Sequence, residues 1–297
     1  MLGRWLIGGL ATAMLIGSPP LGAQVQRPLA PLPSDGLRVT PYFDGWHPNP
    51  DGTVTLSFGY FNLNKEEVVE IPFGPDNFIE PKEYDGRQPT SFPPVPPDEP
   101  GAGARLPTPD PRHRSSGVFT VTVPKGFQGD VVWTLRNRGQ TFQVPGRTKS
   151  PAYQLSWKMA MGSVPPLLRF EPNGPAGRGP TGIEGDPVRT SIGAPVTLSV
   201  WLTDDSVREK ESVSIKREAK AKMNVTWYKH TGPGSIVFSP PREPVANPEG
   251  KASTSATFKE PGEYVIRVRG DNFGELDSLA GDQCCWTNGY VKITVTR

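Results

Sequence analysis

Two adjacent cysteines, Cys284 and Cys285, are the only thiols in this 297-residue chain, and their spacing limits what they can do. Across a trans peptide neighbouring Cα atoms stand about 3.8 Å apart, whereas ordinary disulfides begin near about 4.4 Å. A bond between them closes a strained ring that is easily reduced. Three readings stay open: that ring, a reduced pair with one thiol turned inward by strand alternation, or an intermolecular bridge or metal site. His47, His113 and His230 are scattered and none has ligand spacing to the pair. Trp286 follows directly, and alternation puts it on the face of Cys284.

Carboxylates surround this position in the sequence. Asp204 and Asp205 open a charged stretch reaching Lys222, and Asp271, Glu275, Asp277 and Asp282 lie just before the cysteines. Several carboxylates on loops bind calcium through oxygen, but no ordered ligand motif is present, and the bland reading is solvated loops partnered by nearby lysines and arginines. Hydrolase and nucleotide chemistry have no visible basis, because no Gly-x-Ser-x-Gly, His-Glu-x-x-His or P-loop pattern occurs. The chain is therefore expected not to be an enzyme. Tyr42, Phe43 and Trp46 cluster before the first turn, where aromatics either stack on sugar rings or fill a core. The tripeptide Arg269-Gly270-Asp271 matches an adhesion signal, yet three residues recur by chance and here they end a strand.

The elements that must position these groups read as β throughout. The chain holds 36 Pro and 33 Gly, which break helices and serve turns. Thr53 to Phe58 alternates after the turn signal Asn49 to Gly52, with Val54, Leu56 and Phe58 toward a core. Similar runs are Val68 to Phe73, Val118 to Val123, Val131 to Arg136 and Thr141 to Val144. A second series comprises Pro195 to Thr203, Val225 to Tyr228, Ser235 to Phe238, Ala252 to Phe258, Glu263 to Val268 and Tyr290 to Val295. Residues Asp85 to Ser116 carry nine prolines without periodicity and read as a solvated insert. Asp204 to Lys222 balances six basic against five acidic residues and reads as a long solvated loop.

The C-terminal half resembles immunoglobulin-like repeats of the polycystin (PKD) and cadherin type. The likeness rests on Gly193 to Val200, the pair Asp204 and Asp205, and Phe258 to Val268. Antibody-type Cys-Trp-Cys spacing and the full cadherin calcium motifs are missing. The whole chain also resembles an uncharacterised family of exported bacterial two-domain proteins. That match rests on Gly45 and Trp46, Asn49 to Gly52, Phe58 to Asn62, Ile71 to Asn77, Val132 to Leu135 and Gln283 to Tyr290, and it implies a coherent unit without an assigned activity. The expected architecture is two β-sandwiches in tandem, residues 37–160 with the Pro-rich insert 85–116 and residues 161–297 of immunoglobulin type. In such a sandwich the stretches 204–222 and 270–283 emerge at one end. That end gathers the six carboxylates, Cys284, Cys285 and Trp286 as a candidate binding surface.

Composition sets the context. Lys plus Arg number 32 against 30 Asp plus Glu, too balanced for nucleic-acid binding. Arg4, the apolar stretch Leu6 to Gly17 and the ending Leu21-Gly22-Ala23 read as a secretory signal, residues 1–23, followed by an extended tether at 24–36. No later segment is long and apolar enough to span a bilayer as a helix. These features place the protein in the periplasm or outside the cell, as an interaction protein of the envelope that binds another protein through loops and sheet edges. A carbohydrate-binding module and a secreted enzyme are the rivals. N-terminal sequencing of the exported protein is expected to begin at Gln24, and Met1 retained on exported material contradicts this reading.

Overall fold

The computed structural model describes residues 34–94, 114–148, 153–155, 164–207, 211–212, 215–216, 223–245, 249–272 and 286–297. The signal and tether readings fall outside or almost outside these residues. The described residues form one compact unit, with two separate hydrophobic cores inside it.

The first core is enclosed by β1 (Val39–Pro48), β2 (Val54–Asn62) and β6 (Arg114–Val123) in one sheet and by β4 (Asn77–Glu80), β7 (Val131–Asn137) and β8 (Gln140–Gly146) in another. A short ladder joins β3 (Val69–Glu70) to β5 (Ser91–Phe92). Leu56 and Phe58 are completely buried, as their alternation predicts, but so are Thr55 and Ser57 within a percent. β2 lies between β1 and β6, and neighbours cover both its faces. Phe58 stacks on Phe119 at 5.1 Å, and Trp133 meets Phe119 edge-on at 4.9 Å. Such aromatic pairs contribute about 0.5–1.5 kcal/mol beyond their buried area.

Three features differ from the sequence reading. The Pro-rich stretch joins the fold at both ends: Phe92 is fully buried 6.2 Å from Trp133, and Arg114 to Ser116 already belong to β6. The remaining 95–113 lie outside the described residues. The run Val68 to Phe73 is reduced to the two residues of β3, with Val68 and Phe73 about half exposed. Within Asp204 to Lys222, β13 (Glu211–Ser212) and β14 (Ile215–Lys216) form a small ladder rather than unbroken loop.

The second core lies between two sheets with immunoglobulin connectivity. One has the order β16 (Ile236–Ser239), β18 (Lys251–Phe258), β12 (Val196–Thr203), β9 (Leu167–Arg169). The other runs β17 (Arg242–Val245), β15 (Met223–Thr231), β19 (Gly262–Asp271), β20 (Trp286–Thr296), with β10 (Ile183–Glu184) and β11 (Val188–Ser191) laid parallel along β20. Two further marks of that fold are present. Trp227 is buried on β15, and the Tyr264 hydroxyl donates back to the Glu260 carbonyl at 2.8 Å. Ile266, two residues after Tyr264, stands where antibody domains carry a cysteine, so packing replaces the bridge.

The two sandwiches meet where β20 crosses β6. Gly117 sits in a widened part of the β2–β6 ladder with φ +57°, and a Cβ there would lie 2.1 Å from the indole nitrogen of Trp286. Its N–H donates to Asp44 Oδ2 at 2.7 Å, and its carbonyl accepts from Asn288 Nδ2 at 2.6 Å. The Tyr290 hydroxyl donates to the Val118 carbonyl at 3.1 Å, and Thr90 N–H donates to the His230 carbonyl at 2.8 Å. Gly117→Ala is therefore expected to destabilise the protein by at least about 2 kcal/mol in urea unfolding, combining overlap with a left-handed backbone. Gly126→Ala, at φ +77° with nothing within 4 Å, isolates the backbone part and costs about 1 kcal/mol. Equal losses at the two positions refute the close contact.

Candidate functional site

The acidic end of the second sandwich comes together in part. Asn272 Nδ2 donates to Asp204 Oδ1 at 2.9 Å and to the Val164 carbonyl at 2.9 Å, tying three segments distant in sequence. Ser206 N–H also donates to Asp204 Oδ1, at 3.1 Å, closing the turn after β12. Asp205 pairs with Arg178 at 2.6 Å, and the Arg178 hydrogen bond holds its carboxyl below the usual range. Asp271 is fully buried with Arg269 Nη2 3.5 Å away. The tripeptide Arg269-Gly270-Asp271 is thus closed inside β19 and offers no accessible adhesion loop. Trp286 is buried against Gly117 of the first sandwich, away from the second sandwich's core. Glu275, Asp277, Asp282, Cys284 and Cys285 lie outside the described residues. Among the described residues no three His, Cys, Asp or Glu side chains gather to hold a metal ion.

A second candidate is a groove on the first sandwich that the sequence reading did not assemble. It encloses ≈ 780 Å³ between β1, contributing Tyr42 and Phe43, and the far end of the β7–β8 hairpin, contributing Val144 and Arg147. Asp130 and Tyr153 are also among its lining residues. Arg147 meets Asp130 fork to fork, Nε to Oδ1 at 2.8 Å and Nη2 to Oδ2 at 2.7 Å. Hairpin register could have found this pair, since Val131 faces Gly146 and the flanking residues are Asp130 and Arg147. Tyr153 arrives differently. Residues 153–155 run beside β1, with Leu155 N–H donating to the Trp46 carbonyl at 2.7 Å. The approach requires glycine at 45, where a Cβ would lie 2.3 Å from the Tyr153 carbonyl oxygen.

Of the aromatic cluster read before the first turn, Phe43 lies under Tyr153 with centroids 5.9 Å apart, and Tyr42 carries the Arg114 guanidinium 3.7 Å over its ring. Trp46 packs against the first core.

A third cluster holds titratable groups but is closed. His230 Nε2–H donates to the Arg87 carbonyl at 3.0 Å, across the joint between sandwiches, and its ring meets Tyr290 edge-on at 5.5 Å. Arg267, 2% exposed, lies 4.3 Å from the centre of the Tyr228 ring and donates to Asn288 Oδ1 at 3.3 Å. Burial drives the His230 pKa down to about 4, with the Arg267 charge adding to it, and burial pushes Tyr290 up to about 12. A histidine walled in this way is a structural group, not a general base.

No family profile matches the chain, and no curated protein does. Solved structures similar to it include the D0–D1 domain of intimin, at 11% identity over 86% of this chain and 97% of that one, TM-score 0.25. The adhesin InvE of Yersinia pseudotuberculosis is 10% identical over 86% of this chain and 58% of its own, TM-score 0.25. Domains 4 and 5 of the S-layer protein SbsC are 12% identical over 57% and 66%, TM-score 0.25. Likeness this low transfers neither function nor partner.

The buried imidazole makes a pH prediction. The folded pKa of about 4 lies below the unfolded value of 6.5, so between them the unfolded chain binds the extra proton and stability falls as pH falls. His230→Gln keeps a donor for the Arg87 carbonyl and removes the titration. Between pH 7 and 4.5 the wild type is expected to lose roughly 2–3 kcal/mol more than this variant in urea unfolding. Parallel losses rule out the buried neutral histidine.

Proposed function

We propose that the chain works outside the cytoplasm as a non-enzymatic binding protein of the cell envelope, engaging another protein through loops and sheet edges. The observation that carries this is the convergence at the end of the second sandwich of Val164, Asp204 and Asn272, held by one side-chain amide. Immunoglobulin-type folds place binding loops at such an end. Val207, one residue past this knot, is 84% exposed, beside a half-exposed Asp205 carboxylate. An apolar side chain next to a charge on an exposed turn suits a protein surface better than open water. The short edge strand β16, which among the described residues pairs only with β18, offers backbone groups of the kind that partner strands extend.

A photo-crosslinker at the loop tests it. Val207→p-benzoylphenylalanine is expected to yield one discrete protein adduct in the intact envelope, while Thr197→p-benzoylphenylalanine, exposed on the central strand β12, yields none. The captured protein, once purified, is expected to bind the wild-type chain and to bind Asp205→Lys about tenfold more weakly. Equal adducts from both positions, or an unchanged affinity in the variant, remove this end as the binding surface.

A further inference from the structure

His230 stands at the joint between the sandwiches, and its surroundings suit one protonation state. It occupies a bulge in β15, where the ladder with β19 shifts register between Lys229 and Thr231. Bulges re-aim a residue, and this one ties both its ends to the first sandwich. The ring Nε2–H donates to the Arg87 carbonyl at 3.0 Å, and the backbone carbonyl accepts from Thr90 N–H at 2.8 Å. The other ring nitrogen, Nδ1, is buried without a hydrogen-bond partner. A proton added there would have no acceptor.

The charged groups around the ring offer it no compensation. From β19 comes the buried Arg267, which donates to Asn288 and lies over Tyr228, and farther along that strand Arg269 stands 3.5 Å from Asp271. β20 presents Tyr290 edge-on to the ring, with its hydroxyl engaged by the Val118 carbonyl. Glu184 of β10, beside Tyr290 in register, pairs with Lys292. On the first sandwich Glu70 pairs with Lys229, Asp44 pairs with Arg114, and Arg87 is exposed. Among the described residues no carboxylate forms an ion pair with His230 or with Arg267. An imidazolium would therefore add a second uncompensated cation to the joint. The molecule also has a place to yield. Each sandwich encloses its own core, and His230, Tyr290 and Trp286 belong to neither, so the joint can part without opening a core. We propose that the joint is a proton-operated latch, in which protonation of His230 parts the two sandwiches while both cores stay folded. Parting hydrates the Nδ1–H and relieves the repulsion from Arg267, so the open form takes up the proton more tightly and acid shifts the population toward it. The ring's pKa is about 4 in the closed joint against 6.5 in water, so closure is fully favoured above that window and weakens as pH falls through it. Between pH 7 and 4.5 the ratio of open to closed rises about fiftyfold. The latch goes beyond the proposed binding role and stands without it.

Hydrogen exchange of the full mature chain, followed by NMR and corrected for its intrinsic pH dependence, tests the latch. The Thr90 amide, bonded across the joint, reports parting, and the Ile266 amide reports the second core. Between pH 7 and 4.5 Thr90 protection is expected to fall about fiftyfold in the wild type and less than about threefold in the neutral replacements His230→Gln and His230→Leu. Urea melts at pH 7 establish that each replacement folds, and one folded replacement suffices. At pH 4.5 the wild-type Thr90 amide is expected to be at least about tenfold less protected than Ile266, and dilute urea is expected to lower the protection of Ile266 while leaving that of Thr90 unchanged. An equal fall in wild type and variant assigns the opening to Asp44, Glu70 or Asp271 and overturns the proposal. Equal protection of Thr90 and Ile266, with the same urea dependence, also overturns it, because the joint then opens only with the whole fold.

Discussion

The close pass of Trp286 over Gly117 is the contact on which the rest of the arrangement depends. A side chain of any size at 117 would hold the two sandwiches apart, because its Cβ would occupy the indole's place. Removing the Cβ costs conformational entropy, and the neighbouring polar groups offset it. Asp44 takes the Gly117 N–H and Asn288 takes its carbonyl, so the glycine is held from both sandwiches at once. Neither backbone group is left unpaired in a buried joint, where an orphan would cost about 1–3 kcal/mol.

Asp44 connects that joint to the groove. It is 1% exposed and accepts from Ser57 and Gly117 through one oxygen and from Arg114 through the other. It occupies the bulge in β1 between Phe43 and Gly45. The extra residue turns the carboxylate inward and re-aims its neighbours, as bulges do. Phe43 then supports Tyr153, and Gly45 admits the 153–155 backbone. Joint and groove are thus two sides of a three-residue irregularity. Arg114 ties them more tightly, since its guanidinium pairs with Asp44 at 2.9 Å while lying over the Tyr42 ring.

The joint is also polar, which bears on specificity. A purely apolar contact between sandwiches would tolerate sliding. Here the His230–Arg87, Thr90–His230, Asn288–Gly117 and Tyr290–Val118 hydrogen bonds, with the Lys229–Glu70 ion pair at 2.9 Å, are satisfied together in one registration. Shared bonds of this kind hold the two surfaces in that registration, although the buried Nδ1 of His230 takes no hydrogen-bond partner. The neutral state of His230 belongs to the same logic, because burial makes an imidazolium expensive and the Arg267 charge adds to that cost.

Strands with one wet face were legible in the sequence, and strands with two dry faces were not. β12 and β18 alternate because solvent covers one side, so Pro195 to Thr203 and Ala252 to Phe258 announce them. β1 hides its period behind a bulge, and the first residues of β20, Trp286 to Gly289, are all buried because the other sandwich covers their second face. Period-two reasoning therefore found β20 only from Tyr290 onward. Phe92 was lost among prolines for a related reason, since one apolar residue has no period. The sequence by itself determined the β class, the immunoglobulin pattern of the second half and the approach of the loops at 204 and 271, because these follow from local alternation and a known order of strands. Only the tertiary structure decided that Trp286 belongs to a joint, that the Arg269 to Asp271 tripeptide is closed, and that Tyr153 meets Arg147 across a groove. Those outcomes depend on which distant surfaces pack together, and burial by a neighbour leaves no periodic trace in the chain that is buried.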